Sequence, residues 1–367
     1  MAPIHRIVLT GGPCGGKSTA LARVSARLER FGFRVFLVPE AATLLFSGGA
    51  SLAGATPEQI VAFQGNLIRL QMSLEDSFIR LAEGSGAPSV VICDRGAIDA
   101  RAYMPDASWQ ALLDEHGWSV VTLRDRRYDA VVHMVTAADG AEAFYTTSNN
   151  TARTETPEQA RAIDARLRDA WLGHPHLRVI DNSTDFANKV LRVVETVCRV
   201  AGVPKPVEVE RKFLVREVQP IFPVRTEEVE IEQTYLRTSD ESETRVRRRG
   251  QRGSYVYTHT VKRPLCEGQR VEIERSIPAR EYVALLAQAD PAMSPVKKRR
   301  TLFLWEGQYF ELDRFESPCK GLVMLEVEFD GASASVSLPP FLSIEREVTN
   351  EPAYSNASIA RGGAASA

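Results

Sequence analysis

The sequence predicts two folds in series: an open α/β domain on a parallel sheet, then a mainly antiparallel β-barrel domain. Three observations carry that expectation. Up to about residue 200, short apolar runs alternate with amphipathic stretches, which is the pattern of buried parallel strands joined by helices. The segment Ala201-Gly-Val-Pro-Lys-Pro-Val207 holds two prolines and a glycine between patterned regions and reads as a linker. Beyond it the apolar period changes from about 3.6 residues to about 2, and strands with short turns run to about Thr349. The expected boundaries are 1–200, a linker at 201–207, a barrel at 208–352 and an Ala-, Gly- and Ser-rich tail at 353–367.

The whole chain bounds this reading. Its 367 residues suit two domains, and a net charge of −2 gives no global bias toward nucleic acid or an anionic membrane. No apolar run approaches the length of a membrane span. The first residues lead directly into a strand, so no leader is read there. Five cysteines (Cys14, Cys93, Cys198, Cys266, Cys319) lie scattered without a CxxC pair. That usage points to reduced thiols in a cytoplasmic compartment and away from finger-type zinc.

In chain order, strands are expected at Ile7–Leu9, Val35–Val38, Val90–Cys93, Val131–Val135 and Val179–Ile180. Helices are expected at Thr19–Phe31, with Leu21, Val24, Leu28 and Phe31 on one face and Gly32 at the stop, and at Pro57–Glu83 and Pro157–Leu172. A further helix is expected at Ala279–Gln288.

Between the first strand and helix stands Gly11-Gly12-Pro-Cys-Gly15-Gly16-Lys17-Ser18, which fits a phosphate-binding loop. The glycines let backbone N–H groups close on a β-phosphate, Lys17 reaches the β and γ oxygens, and Ser18 is placed for Mg²⁺. Val90-Val-Ile-Cys-Asp94-Arg95 ends a strand in an acid that holds Mg²⁺ or orients a nucleophile, or serves as a turn aspartate. Glu40 ends the second strand. It accepts a substrate proton, binds substrate, or caps a helix. Arg153 opens a polar stretch before the helix carrying Arg161 and Arg166. One reading is an arginine lid over the phosphates, the other a solvated helix face.

Downstream, Glu208, Glu210 and Lys212 share one face of a strand. The alternation recurs as Arg245/Arg247/Arg249, Thr260/Lys262, Glu272/Glu274, Glu311/Asp313 and Glu326/Glu328. In the run Lys297-Lys-Arg-Arg300 the inward pair is either Lys297 with Arg299 or Lys298 with Arg300, and the first is taken. The intervening Val209, Phe213, Val246, Val261, Ile273, Leu312 and Val327 are expected to pack against helices outside. A buried charged interior is tolerable only if the charges pair or a ligand completes them. A metal–triphosphate complex does so, with metal on carboxylates and phosphate oxygens on Arg and Lys.

The upstream motifs, Gly-Gly-Pro-Cys-Gly-Gly-Lys-Ser-Thr19, Val-Pro-Glu40, Asp94-Arg95-Gly and the Arg153 region, resemble the P-loop kinases of nucleosides, nucleotides and related small molecules over residues 4–200. In particular they resemble the AAA-type ATPases related to the nicotinamide-riboside kinase domain. The resemblance implies ATP or GTP as ligand, with the base near Asp181–Asp185. From Glu208-x-Glu210-x-Lys212 to Glu345-Arg-Glu-Val-Thr349, including Gln233-Thr-Tyr235, residues 207–352 resemble the CYTH superfamily, the triphosphate tunnel metalloenzymes. That resemblance implies an eight-stranded antiparallel barrel. It puts Mg²⁺ or Mn²⁺ among Glu208, Glu210, Glu272, Glu274, Asp313, Glu326 and Glu328, and triphosphate on Lys212, Arg245, Arg247, Lys262, Lys297 and Arg299. An activated water then attacks a terminal phosphorus.

The expected function is hydrolysis of tripolyphosphate or a nucleoside triphosphate in the barrel, with the P-loop domain binding nucleotide as kinase or regulator. Two alternatives stand beside it: a class IV-type adenylyl cyclase, and a sensor of polyphosphate or phosphorylated ligands switched by nucleotide. No nucleic-acid partner is expected. Membrane or headgroup binding and the oligomeric state are left open.

Overall fold

The computed structural model describes residues 2–145, 156–203, 209–218, 221–238, 242–266, 269–329 and 336–362. The chain forms two compact units, Met1–Val207 and Glu208–Ala367.

The first unit is built on five parallel strands: β1 (Ile4–Thr10), β2 (Arg34–Val38), β3 (Ser89–Asp94), β4 (Ala130–Met134) and β5 (Leu177–Ile180). Their order is β2-β3-β1-β4-β5. Six helices accompany them: α1 (Lys17–Arg30), α2 (Ala41–Ser47), α3 (Pro57–Ser85), α4 (Asp106–His116), α5 (Pro157–Ala170) and α6 (Phe186–Val200). Ile7, Leu9, Val90, Ile92, Val132 and Met134 of the sheet are buried with Ala20, Val24 and Leu28 of α1 and Val190, Val193 and Val197 of α6. Local chemistry sets the helix starts. Thr56 and Thr156 each form a capping box, with Gln59 and Gln159, and a proline fills the first turn of both α3 and α5. Because all five strands run parallel, the loops after β1, β2 and β3 emerge at one sheet edge, where open α/β sheets gather ligands.

The second unit is a nine-stranded antiparallel sheet: β6 (Val209–Val218), β7 (Thr226–Tyr235), β8 (Glu243–Gln251), β9 (Ser254–Cys266), β10 (Gln269–Ser276), β11 (Val296–Trp305), β12 (Gln308–Ser317), β13 (Val323–Phe329) and β14 (Leu342–Glu347). The order is β10-β9-β8-β7-β11-β12-β13-β6-β14, with α7 (Ala279–Leu286) and α8 (Asn356–Ala360) accompanying it. Among the described residues, nine strands stand where the resemblance implies eight. The ninth, β14, pairs with β6 through two register shifts, the irregularity usual at a sheet edge.

Two packing expectations need correction. Val246 has the helical cover foreseen, packing with Ile277 and with Tyr282, Leu285 and Leu286 of α7. Phe213, Leu312 and Val327 pack with Phe303, Phe310 and Leu325 beneath Phe222 and Phe341 of non-helical segments. The physical reason is supply: among the described residues α7 alone joins strands here, so aromatic loop residues close the rest. Phe341 meets Phe222 at 5.5 Å, Phe303 at 5.6 Å and Trp305 at 5.4 Å between ring centroids. The side chains of Val209 and Ile273 lie outside the described residues. The segment read as a tail also folds back: Tyr354, Ala357, Ile359 and Ala360 are buried with Leu214, Tyr235, Val296, Phe315 and Met324. Ser355 caps α8 through the Ser358 amide. Among the described residues, no helix is long and apolar enough to cross a membrane.

Candidate functional site

In the first unit the glycine-rich loop joins β1 to α1, and its backbone explains its composition. Gly11 has φ +140° and Gly16 φ +93°, conformations that side chains resist. Space is equally restrictive: a Cβ on Gly11 would lie 2.0 Å from the Met134 carbonyl oxygen, and one on Gly16 would lie 2.5 Å from the Phe186 ring. Lys17 folds back so that its Nζ donates to the Gly11 carbonyl at 3.2 Å. Burial, then the Arg95 charge, lowers the Lys17 ammonium to about 8. A cation destabilised in this way gains from an incoming anion. Ser18 and Thr19 lie exposed in the first turn of α1.

Three further expected residues join this cluster. Arg95 Nε lies 3.2 Å from Glu40 Oε1, and Thr43 donates to Glu40 Oε2 at 2.7 Å. Burial works against the Glu40 carboxylate, but Arg95, Thr43 and Lys17 outweigh it and hold the group below the ordinary carboxylate range. That makes Glu40 a better hydrogen-bond acceptor than a strong base. Burial pushes Asp94 up. Its Oδ1 and the NH1 of Arg95 are buried without a partner among the described residues. Two orphaned polar atoms of opposite charge beside a phosphate loop fit a metal–nucleotide ligand. Arg161 donates to the Ala138 carbonyl at 2.7 Å, whereas Arg166 is exposed. Arg153 lies outside the described residues.

In the second unit the strand register gathers the charged side chains on one face. Residues directly opposite in an antiparallel pair project to the same side. One rung runs Leu302, Glu311, Glu326, Lys212, and Glu328 stands opposite Glu210. Another runs Arg300, Asp313, Met324, Leu214. Further round, Glu274 stands opposite Thr260, Thr260 opposite Arg245, and Gln233 opposite Arg247, while Glu272 pairs with Lys262 and Lys262 with Glu243. The Glu272 side chain lies outside the described residues, as does Glu208 altogether. Arg249, which the alternation groups with Arg245 and Arg247, stands opposite Ile231 and shares the face.

The run Lys297–Arg300 needs correction. Lys298 and Arg300 are the buried pair, and Lys297 and Arg299 are half exposed. Lys297 is paired with Glu232, and Arg299 with Glu228 and Glu316. Opposite partners decide the matter, because Asp313 and Ile231 face Arg300 and Lys298 across the ladders.

Pairing on this face is dense. Arg300 donates to Asp313 through Nε and NH2 at 2.7 and 2.6 Å, to Glu326 at 2.9 Å, and to Glu311. Lys298 Nζ reaches Asp313 at 2.5 Å, and Lys212 Nζ reaches Glu326 at 3.0 Å and Glu210 at 3.2 Å. Burial opposes the Glu326 carboxylate, but Lys212, Lys298 and Arg300 outweigh it and hold it strongly ionised. Glu274 accepts from Arg247 and Thr260, which carry it below its ordinary range against burial. Glu210 goes the other way: burial, then the Glu326 charge, raises it from 4.5 to about 7. Among the described residues around this network, Glu210, Glu311, Asp313, Glu326 and Glu328 share the face with Lys212, Lys298 and Arg300, five acids to three bases. That excess matches one divalent cation. Among the described residues, no three ligand side chains are gathered ready for a metal, since the acids are turned to their basic partners. Burial raises Glu311 as well, so Glu210 and Glu311 are the carboxylates on this face with a proton to exchange, and Glu210 pairs with Lys212 where Glu311 pairs with Arg300.

A pH dependence follows. The folded Glu210 holds a proton that the unfolded chain releases, so without divalent cations the second unit loses stability as pH rises from about 4.5 to about 7. The expected result is a melting temperature that falls over that window, with a shallower fall in Glu210→Gln. Equal slopes for the two proteins would contradict the assignment.

Comparisons with known proteins agree with this division. Residues 6–189 match the AAA domain family, and residues 207–362 match the CYTH domain family. An inorganic triphosphatase of Nitrosomonas europaea is 34% identical over 157 residues, covering 42% of this chain and 96% of that protein. An inorganic triphosphatase of Acetivibrio thermocellus is 30% identical over 155 residues, covering 42% of this chain and 93% of that protein. A crystal structure of an inorganic triphosphatase is similar at 31% identity and a TM-score of 0.33, covering 42% of this chain and 95% of that chain.

Proposed function

The chain belongs to the CYTH domain family and carries an AAA domain ahead of it; from that premise we propose that its second unit hydrolyses a triphosphate with a divalent cation. The substrate class is tripolyphosphate or a nucleoside triphosphate. The observation that carries the reading is the charged face, where acids and bases alternate along one side of consecutive strands and the acids are in excess.

Each group has a part in this reading. Arg245, Arg247, Arg249 and Lys262 hold phosphate oxygens from β8 and β9, where forked guanidinium contacts suit tetrahedral anions. Glu210, with Glu208 and Glu328, holds the cation, Mg²⁺ or Mn²⁺. When bound, such a cation neutralises phosphate charge and lowers the pKa of a water. Arg300 and Lys298 hold Asp313 in place, the same two cations with Lys212 keep Glu326 ionised, and Lys212 links Glu326 to Glu210. Glu210 would give up its proton to hold a cation, so cation affinity would rise as pH passes about 7. In the first unit, Lys17 and the loop amides hold the phosphates of ATP or GTP, Ser18 and Asp94 hold the cation, and Glu40 with Arg95 orients an acceptor. Nucleotide binding there serves a kinase step or a switch.

The test is the product formed by the full chain. Release of orthophosphate from tripolyphosphate, dependent on Mg²⁺ or Mn²⁺ and stopped by a chelator, is the expected result. Cyclic AMP from ATP with no orthophosphate would replace hydrolysis by cyclisation.

A further inference from the structure

A carboxylate outside every motif holds the phosphate loop from behind. Asp164, on α5, is 3% exposed. Its Oδ1 accepts from the Gly12 amide at 2.6 Å and from the Thr136 amide at 3.1 Å, and its Oδ2 lies 3.2 Å from His133 Nε2. The Thr136 hydroxyl in turn donates to the carbonyl oxygen of Pro13. Two consecutive loop residues, Gly12 and Pro13, are therefore gripped from the far side, one through its N–H and the other through its C=O. Gly12 is glycine for this contact: a Cβ there would sit 2.6 Å from Asp164 Oδ1. Thr136 is itself anchored, because Asn182 Nδ2 donates to its carbonyl at 2.8 Å.

We propose that Asp164 and Thr136 are positioning residues that fix the phosphate loop for nucleotide. Gly12 gives its amide to Asp164 and Pro13 has none, so the phosphate contacts fall to amides later in the loop. Those can converge on an anion only if the turn entering them is held still. Asp164 and Thr136 supply that restraint without touching the ligand, and together they tie the loop to β4 and α5. The inference rests on the nucleotide reading of the first unit.

The experiment is titration of the full chain with a fluorescent N-methylanthraniloyl-ATP and Mg²⁺, alongside thermal melting. Wild type is expected to bind. Asp164→Leu, which keeps the branch at Cγ but removes the acceptor, is expected to bind at least tenfold more weakly. Asp164→Asn keeps an oxygen acceptor for the Gly12 amide and is expected to stay within about threefold of wild type. Thr136→Val is expected to weaken binding at least threefold, with Thr136→Ser restoring it. A purely structural role would make affinity follow melting temperature, with no recovery specific to Asn and Ser. If Asp164→Leu does not fold, the Thr136 pair decides. Folded Asp164→Leu and Thr136→Val that bind as wild type does would overturn the inference, while a wild type that binds nothing would remove the nucleotide reading beneath it.

Discussion

Arg300→Ala is expected to destabilise the second unit by about 3–5 kcal/mol and to abolish triphosphate cleavage. The guanidinium donates to Glu311, Asp313 and Glu326, three carboxylates on adjacent strands. Asp313 and Glu326 are almost wholly buried. Removing the cation leaves these charges uncompensated, and a buried charge that loses its partner costs far more than the pair contributed. Lys298 and Lys212 remain, but each already serves one of those acids. Lysine at position 300 would keep the charge and lose the fork, so partial recovery of stability is expected from Arg300→Lys. The neighbouring Arg299 is the control. It pairs with Glu228 and Glu316 on the opposite face, half exposed, and Arg299→Ala is expected to cost under about 1 kcal/mol. Denaturant unfolding of the second unit checks both, and equal effects at positions 299 and 300 would refute the inward assignment of Arg300.

That assignment marks the limit of what the sequence discloses. Alternation located the strands and the charged face well, because a period of 2 separates Glu210 and Lys212 from Phe213 and Val215 with no further information. The run Lys297–Arg300 has no apolar residue to mark its inner side, so partners across the ladders decide. The turn between β1 and α1 was legible because its glycines answer a local constraint, a backbone at positive φ, and Gly11 also meets the close approach of Met134. Asp164 was not: it is one acid in a helix of alternating charge, and only the fold brings it to Gly12. The fold-back of Tyr354–Ala360 was hidden by its Ala, Ser and Asn composition, which resembles a solvated tail until Tyr354 and Ile359 find the cluster around Met324. Outer packing escaped for a similar reason, since Phe222 and Phe341 belong to no periodic segment.

The central claim is that hydrolysis belongs to the charged face of the second unit and not to the phosphate loop of the first. Glu210→Ala removes a carboxylate there that burial and the Glu326 charge raise to about 7 and that can exchange its proton for a cation. The expected loss is about a hundredfold or more, since each ~1.4 kcal/mol of lost transition-state stabilisation is tenfold in rate. Lys17→Ala removes the loop cation, whose nearest partner is the Gly11 carbonyl within the first unit. The deciding measurement is orthophosphate release from tripolyphosphate with Mg²⁺ or Mn²⁺ by wild type, Glu210→Ala and Lys17→Ala. Glu210→Ala is expected to lose the activity and Lys17→Ala to keep it. An active Glu210→Ala beside an inactive Lys17→Ala, or a wild type that releases nothing, would contradict that claim.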